Sequence, residues 1–189
     1  TPLDGLGLGL EFHPAPVFSQ PLRTPAAIDA LRLPPPQENA AQVFAAVRGL
    51  RAALPAQTPL IGFAGAPFTL YCYLVEGHGS KGFFVAKSFL FSEPEAADRL
   101  LDKLATQTVA YLTAQAEAGA QALMIFDSWA GILSPEAYAR HALPAVRKVL
   151  AGLAPLGLPL IYFPNQGSTL LDQLPGLPHR TGHGIGLDG

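Results

Sequence analysis

Cysteine is nearly absent: Cys72 is the only one in 189 residues, so no disulfide can form within the chain and no thiolate cluster can be assembled for a metal. A reducing, cytoplasmic setting is the expectation that follows. Charge is scarce too. Twelve basic residues stand against 14 acidic ones, only 14% of the chain is charged, and no basic run offers a footprint for nucleic acid or an anionic membrane. No apolar run approaches the ~20 residues that span a bilayer, and Thr1-Pro2-Leu3-Asp4-Gly5 lacks the basic start and apolar centre of a signal peptide. Hydrophobic residues, by contrast, make up 49%, which argues against disorder and for one domain with a substantial core. Thr1 is not a methionine, and the chain stops at Leu187-Asp188-Gly189 just as Gly184-Ile185-Gly186 begins to read as a strand. A fragment of a longer protein is expected.

One stretch organises the rest. Ala122-Leu123-Met124-Ile125-Phe126-Asp127 is an apolar run that breaks into Ser128-Trp129-Ala130-Gly131, with helical patterns on both sides. Such a run predicts a strand buried on both faces of a parallel sheet, with polar residues at its carboxyl end, where these sheets do chemistry. Alternation puts Phe126 and Ser128 on one face and Asp127 on the other.

Before this strand, residues 1–23 alternate leucine with glycine and read as an extended ribbon or loop. Thr24-Pro25 predicts a capped helix over residues 26–33, halted by Pro34-Pro35-Pro36. Residues 38–54 carry Val43, Val47, Leu50 and Leu54 at helical spacing. A strand over residues 59–67 follows, then a helical turn to Glu76 and a flexible elbow at Gly77-His78-Gly79-Ser80. Ser92-Glu93-Pro94-Glu95 reads as a capping box opening a long helix with Leu100, Leu101, Leu104, Tyr111 and Leu112 on one side. Ser134-Pro135 opens another, with Tyr138, Leu143, Val146 and Leu150 along it. Residues 159–163 form a further strand, 168–174 a short helix and 184–187 the start of a last strand.

Strands near residues 60, 123, 160 and 185, separated by helices and with no hairpin between them, predict an α/β fold with a parallel sheet and right-handed crossovers. An open doubly wound sheet and a closed barrel both fit, but Gly62-Phe63-Ala64-Gly65 has the wrong spacing for a dinucleotide fingerprint. Part of a (β/α)8 barrel is the favoured reading: residues 1–189 as a single incomplete barrel domain, with 1–36 as a ribbon excursion and short helix and 37–189 as consecutive αβ units.

Several candidate sites dissolve on inspection. Phe126 and Ala130 stand where a hydrolase nucleophile elbow needs glycine, so Ser128 is not read as a nucleophile. Gly77-His78-Gly79-Ser80-Lys81 lacks the spacing of a phosphate loop and reads as a hinge. His179 and His183 are four apart, but the neighbouring glycines and prolines oppose a helix there, and no metal site is expected. Taken alone, Ser128 reads as a strand-end serine bonding local backbone, and Tyr73 as helix packing with a wet tip. The alternatives, contacts to a ligand carboxylate, rest on their places at the ends of two strand-and-loop units.

Three motifs in order, Ile61-Gly62-Phe63-Ala64-Gly65-Ala66-Pro67-Phe68-Thr69-Leu70, Tyr73-Leu74-Val75-Glu76-Gly77 with Gly79-Ser80, and Phe126-Asp127-Ser128-Trp129-Ala130-Gly131, resemble the uroporphyrinogen decarboxylase family. The resemblance implies a cofactor-free, homodimeric (β/α)8 enzyme that converts the four acetates of uroporphyrinogen to the methyls of coproporphyrinogen in porphyrin and haem synthesis. It implies that Tyr73 and Ser128 hydrogen-bond the substrate and that Phe126 packs on the macrocycle. No catalytic residue falls within this chain, because the family aspartate that faces the pyrrole N–H groups maps a few residues before Thr1; Asp4 matches a loop position beyond it. His78 departs from the family glycine, Tyr71 and Cys72 vary a neighbouring stretch, and Gly189 replaces a tryptophan. The chain alone is expected to be inactive. Two rivals stand beside this reading: a corrinoid-related methyltransferase, whose zinc ligands are hard to supply from a lone Cys72, and a non-catalytic tetrapyrrole-binding remnant.

Overall fold

The computed structural model describes residues 3, 5–13, 15–174, 177 and 184–186. Asp4, His179, His183 and residues 187–189 lie outside them.

The amino-terminal ribbon is a hairpin of β1 (Leu10–His13) and β2 (Ala15–Phe18). It is fastened to the body by backbone: Phe18 N donates to Gly77 O at 2.7 Å and Leu22 N to Leu74 O at 2.8 Å. Thr24 caps α1 (Pro25–Ala30) through its hydroxyl, which accepts from Ala27 N, but the helix stops three residues short of the triple proline. Pro36 starts a helix rather than only ending one, because proline suits a first turn: α2 (Pro36–Asn39) precedes α3 (Ala41–Ala53), with a break at Ala40. Phe44 and Val47 face the core, Phe44 against Tyr111 at 5.8 Å, whereas Leu50, expected inside, is 51% exposed.

Then the strand-and-helix alternation begins: β3 (Ile61–Gly65), α4 (Pro67–Glu76), α5 (Phe84–Ser92), α6 (Pro94–Glu117), β4 (Ala122–Asp127), α7 (Pro135–Ala137), α8 (Leu143–Leu153), β5 (Leu160–Pro164) and β6 (Gly184–Ile185). The four strands after the hairpin form one sheet in the order β3-β4-β5-β6, all parallel. The sequence pattern missed α5, whose residues are apolar nearly all round. The capping box at Ser92 is not formed; Glu93 takes the cap position without a side-chain hydrogen bond, and Pro94 supplies the helical φ. Ser134 does cap, accepting from Ala137 N at 3.3 Å, and between α7 and α8 the backbone opens into a π turn over Tyr138–Ala142.

Helix α6 carries the core, with Leu100, Leu101, Leu104 and Leu112 almost fully buried behind the sheet. Its Gln115 also guards the edge of β3: the side-chain amide accepts from Phe63 N at 3.0 Å and donates to Phe63 O at 2.9 Å, occupying the backbone groups that face away from β4. One expectation fails. The strands are not buried on both faces; burial alternates along β3, β4 and β5, with one side under the helices and the other open.

Candidate functional site

The open face of the sheet carries a row of aromatic rings. Phe63, Phe126 and Phe163 stand on three adjacent strands, with Phe126 edge-on to Phe63 at 5.8 Å and to Phe163 at 5.9 Å. Phe63 is 61% exposed. The sequence reading found Phe126 alone; Phe63 and Phe163 were hidden because a phenylalanine in a strand is ordinarily core, and only the folded sheet, with Phe126 paired to Phe163 and touched diagonally by the Phe63 ring, brings the three together.

Behind the same strands, Asp127 points the other way, as the alternation predicts, and is completely buried. Thr69 Oγ1 donates to one carboxylate oxygen at 2.9 Å and Tyr162 hydroxyl to the other at 2.7 Å. The Tyr138 hydroxyl, from the π turn, lies 2.8 Å from that of Tyr162. Burial pushes the Asp127 carboxyl up to about 6, against the opposing pull of the Tyr162 and Thr69 hydrogen bonds. The carboxylate thus ties α4, β5 and the π turn to the end of β4. It has no path to the open face.

At the carboxyl end of the sheet the loops after β4 and β5 are stitched together. Asn165 N donates to Asp127 O at 3.0 Å, Asn165 Nδ2 to Ser128 O at 3.2 Å, and Gly131 N to Asn165 O at 3.2 Å. A Cβ at Gly131 would stand 2.5 Å from the Gln166 carbonyl oxygen, so only glycine lets the two loops meet. Ser128 is half-buried there, its backbone fixed by Asn165. Among the described residues its hydroxyl has no hydrogen-bond partner, so the local backbone bond that a strand-end serine usually makes is not made.

Tyr73 is the one half-buried residue of α4, all of whose other positions are buried. Its ring lies edge-on to Phe83 at 5.8 Å and to Trp129 at 6.2 Å, and its hydroxyl has no partner among the described residues. Trp129 follows Ser128 directly, so that contact brings both predicted hydroxyls, Tyr73 and Ser128, to one end of the sheet, beside the strand that carries Phe126. The elbow after α4 is more ordered than its glycines suggest: Ser80 Oγ accepts from Phe83 N at 3.3 Å, and Glu76 Oε2 accepts from Ala86 N at 3.0 Å in the first turn of α5. Among the described residues no group of three or more His, Cys, Asp or Glu side chains is placed to hold a metal ion.

Comparison with known proteins gives this geometry its context. The family model described as uroporphyrinogen decarboxylase matches residues 1–188. The chain belongs to the uroporphyrinogen decarboxylase family. Proteins of that name from Syntrophotalea carbinolica and Pelobacter propionicus are 46% and 44% identical over 187 and 188 residues, covering 99% and 100% of this chain and 54% of each relative. The one from Geobacter sulfurreducens is 44% identical over 91% of this chain and 51% of its own. The chain thus spans about half the length of the curated relatives it matches. A methyltransferase from Methanosarcina mazei superposes with a TM-score of 0.68 at 17% identity, covering 84% of this chain and 46% of that one, a likeness of fold alone. The sheet is part of a (β/α)8 barrel, and its open face with the three phenylalanines is the inward one.

Proposed function

We propose that the intact protein decarboxylates uroporphyrinogen to coproporphyrinogen, a cofactor-independent carboxy-lyase reaction of porphyrin synthesis. The observation that carries the reading is the row of Phe63, Phe126 and Phe163 with the Tyr73 and Ser128 hydroxyls at its end. A tetrapyrrole is a broad apolar ring with carboxylates at its rim. The phenylalanines offer it a surface with no competing polar group, and the unpartnered hydroxyls of Tyr73 and Ser128 are donors for its carboxylates.

Loss of CO2 from a pyrrole acetate leaves an electron pair that needs a sink, and a ring protonated on carbon supplies one. The C–C bond to the carboxyl breaks as the pair flows into the protonated ring, leaving an exocyclic methylene; a proton adds to that carbon to complete the methyl group, and the ring carbon releases the proton it first took up. A carboxylate beneath the ring nitrogens would stabilise that cation in a site that excludes water. Within β3–β6 the only acidic side chain is Asp127, which faces the helices. We take the anion to come from another segment, the family aspartate that maps before Thr1. This chain's part is to bind and orient.

As a whole, the intact enzyme is inferred to be a single barrel domain, a cytoplasmic homodimer that binds neither nucleic acid nor membrane. The free, fully buried Cys72 supports the compartment, and the stripe of Phe84, Val85 and Phe91 on α5, 74%, 41% and 60% exposed, supports a protein partner. No helix among the described residues is long and apolar enough to cross a membrane. The test is anaerobic turnover. The intact protein is expected to release CO2 from uroporphyrinogen and the 189-residue chain alone to release none; an inactive intact protein refutes the assignment, and an active short chain refutes the missing anion.

A further inference from the structure

Two described non-glycine residues near the site hold a positive φ, Gln166 at +53° in the loop after β5 and Phe83 just before α5, and Phe83 is the aromatic one. Its φ is +44° and its ψ +51°, the left-handed region, which costs a non-glycine residue roughly 1 kcal/mol or more. It is nonetheless fully buried. Neighbours on both sides impose the conformation: Ser80 Oγ accepts from its N–H, Lys87 N donates to its carbonyl at 2.9 Å, and the next turn is anchored from α4 by Glu76 on Ala86 N and by the Tyr71 hydroxyl on Ala86 O at 2.9 Å.

What this arrangement achieves is ring placement. Phe83 lies 4.6 Å from Trp129 and 5.8 Å from Tyr73, and those two touch each other, so the three rings close on themselves. Neither polar ring is anchored by a hydrogen bond among the described residues: the Trp129 indole N–H is buried without a partner there, and the Tyr73 hydroxyl has none. Packing alone therefore sets how both rings stand, and Phe83 is the ring they share.

We propose that Phe83 is a positioning residue, which through Trp129 and Tyr73 aims the Tyr73 hydroxyl at a substrate carboxylate. The proposal rests on the reading of Tyr73 as a substrate contact, and the test separates the two. In the intact protein, Phe83→Leu keeps apolar volume but removes the ring; it raises the KM for uroporphyrinogen about tenfold with kcat changed less than about twofold, as for one lost hydrogen bond to a charged group. Tyr73→Phe does the same, and the double variant is no worse than either single one, whereas independent effects would multiply to about a hundredfold. An unchanged KM in Phe83→Leu, or full multiplication, overturns the proposal. Phe83→Met, less demanding in shape, serves as the second variant should leucine unfold the protein, and is held to the same outcomes. Fluorescence assigned to Trp129 by difference from a Trp129→Phe protein supplies a readout independent of turnover. It shifts in Phe83→Leu without ligand; no shift refutes the positioning, and an inactive wild-type protein that shows the shift refutes only the decarboxylase reading.

Discussion

The two faces of the sheet obey opposite rules. On the helix side, the polar groups of Asp127 are matched: each carboxylate oxygen has a hydroxyl donor, and the Tyr162 hydroxyl that serves one of them is itself bonded to Tyr138. On the open side the arrangement is the reverse, with exposed apolar rings, and at the carboxyl end of the sheet the Ser128 and Tyr73 hydroxyls have no hydrogen-bond partner among the described residues. A buried polar group without a partner costs about 1–3 kcal/mol, so matched pairs mark where a structure holds itself together. Unmatched groups beside an apolar surface mark where something else is to be held. Along β4 strand parity keeps these roles apart, so that Asp127 and its neighbour Phe126 serve different ends.

The largest expected effect breaks the helix side. Asp127→Ala leaves the buried Thr69 hydroxyl without its acceptor and the Tyr162 hydroxyl with only Tyr138, and should cost about 2–4 kcal/mol in urea unfolding of the intact protein. A loss under 1 kcal/mol would mean that the network is not structural. The same carboxyl makes stability depend on pH in a direction opposite to that of a salt-bridged carboxylate. Its folded value of about 6 lies above the ~3.9 of an unfolded chain, so between them the folded state holds a proton that the unfolded state has released. Stability falls as pH rises through that window, by about 3 kcal/mol at most, and is flat above it. The difference between wild type and Asp127→Asn, measured from pH 4 to 7, isolates this slope.

On the open side, the comparison predicts a change in affinity with little change in stability. Phe126→Ala removes the middle ring of the row and should cost about 2 kcal/mol of substrate binding, a KM higher by about thirtyfold. Unfolding should move less than for Asp127→Ala, because the ring is only half-buried.

Much of this division was legible in the sequence. The four strands, their parallel order and the opposite facing of Phe126 and Asp127 follow from period-two alternation and from the helices between strands. What could not be read has physical reasons. Helix α5 has apolar residues on its exposed face as well as its buried one, so no stripe marks it. Leu50 was placed inside because helical spacing alone does not say which face meets the core, and the face that does runs through Phe44 and Val47. The partners of Asp127 come from residues 69 and 162, and such long-range contacts depend on packing rather than spacing. Phe83 in a left-handed turn is invisible to propensity, since propensity would have placed a glycine there. Tyr73 and Ser128 were found through resemblance; their unpartnered hydroxyls appear only in three dimensions.

The smallest effect sharpens the comparison most. Ser128→Ala deletes an oxygen that has no hydrogen-bond partner among the described residues, while the backbone that places it stays fixed by Asn165 on the Ser128 carbonyl and by Gly131 on Asn165. Folding stability should therefore change by less than about 0.5 kcal/mol. Substrate binding should weaken by about 1 to 1.5 kcal/mol, a KM roughly five- to tenfold higher, if the lost hydroxyl donates to a charged carboxylate as proposed. If instead stability drops and KM holds, the hydroxyl serves the fold, and the open face loses one of its two donors.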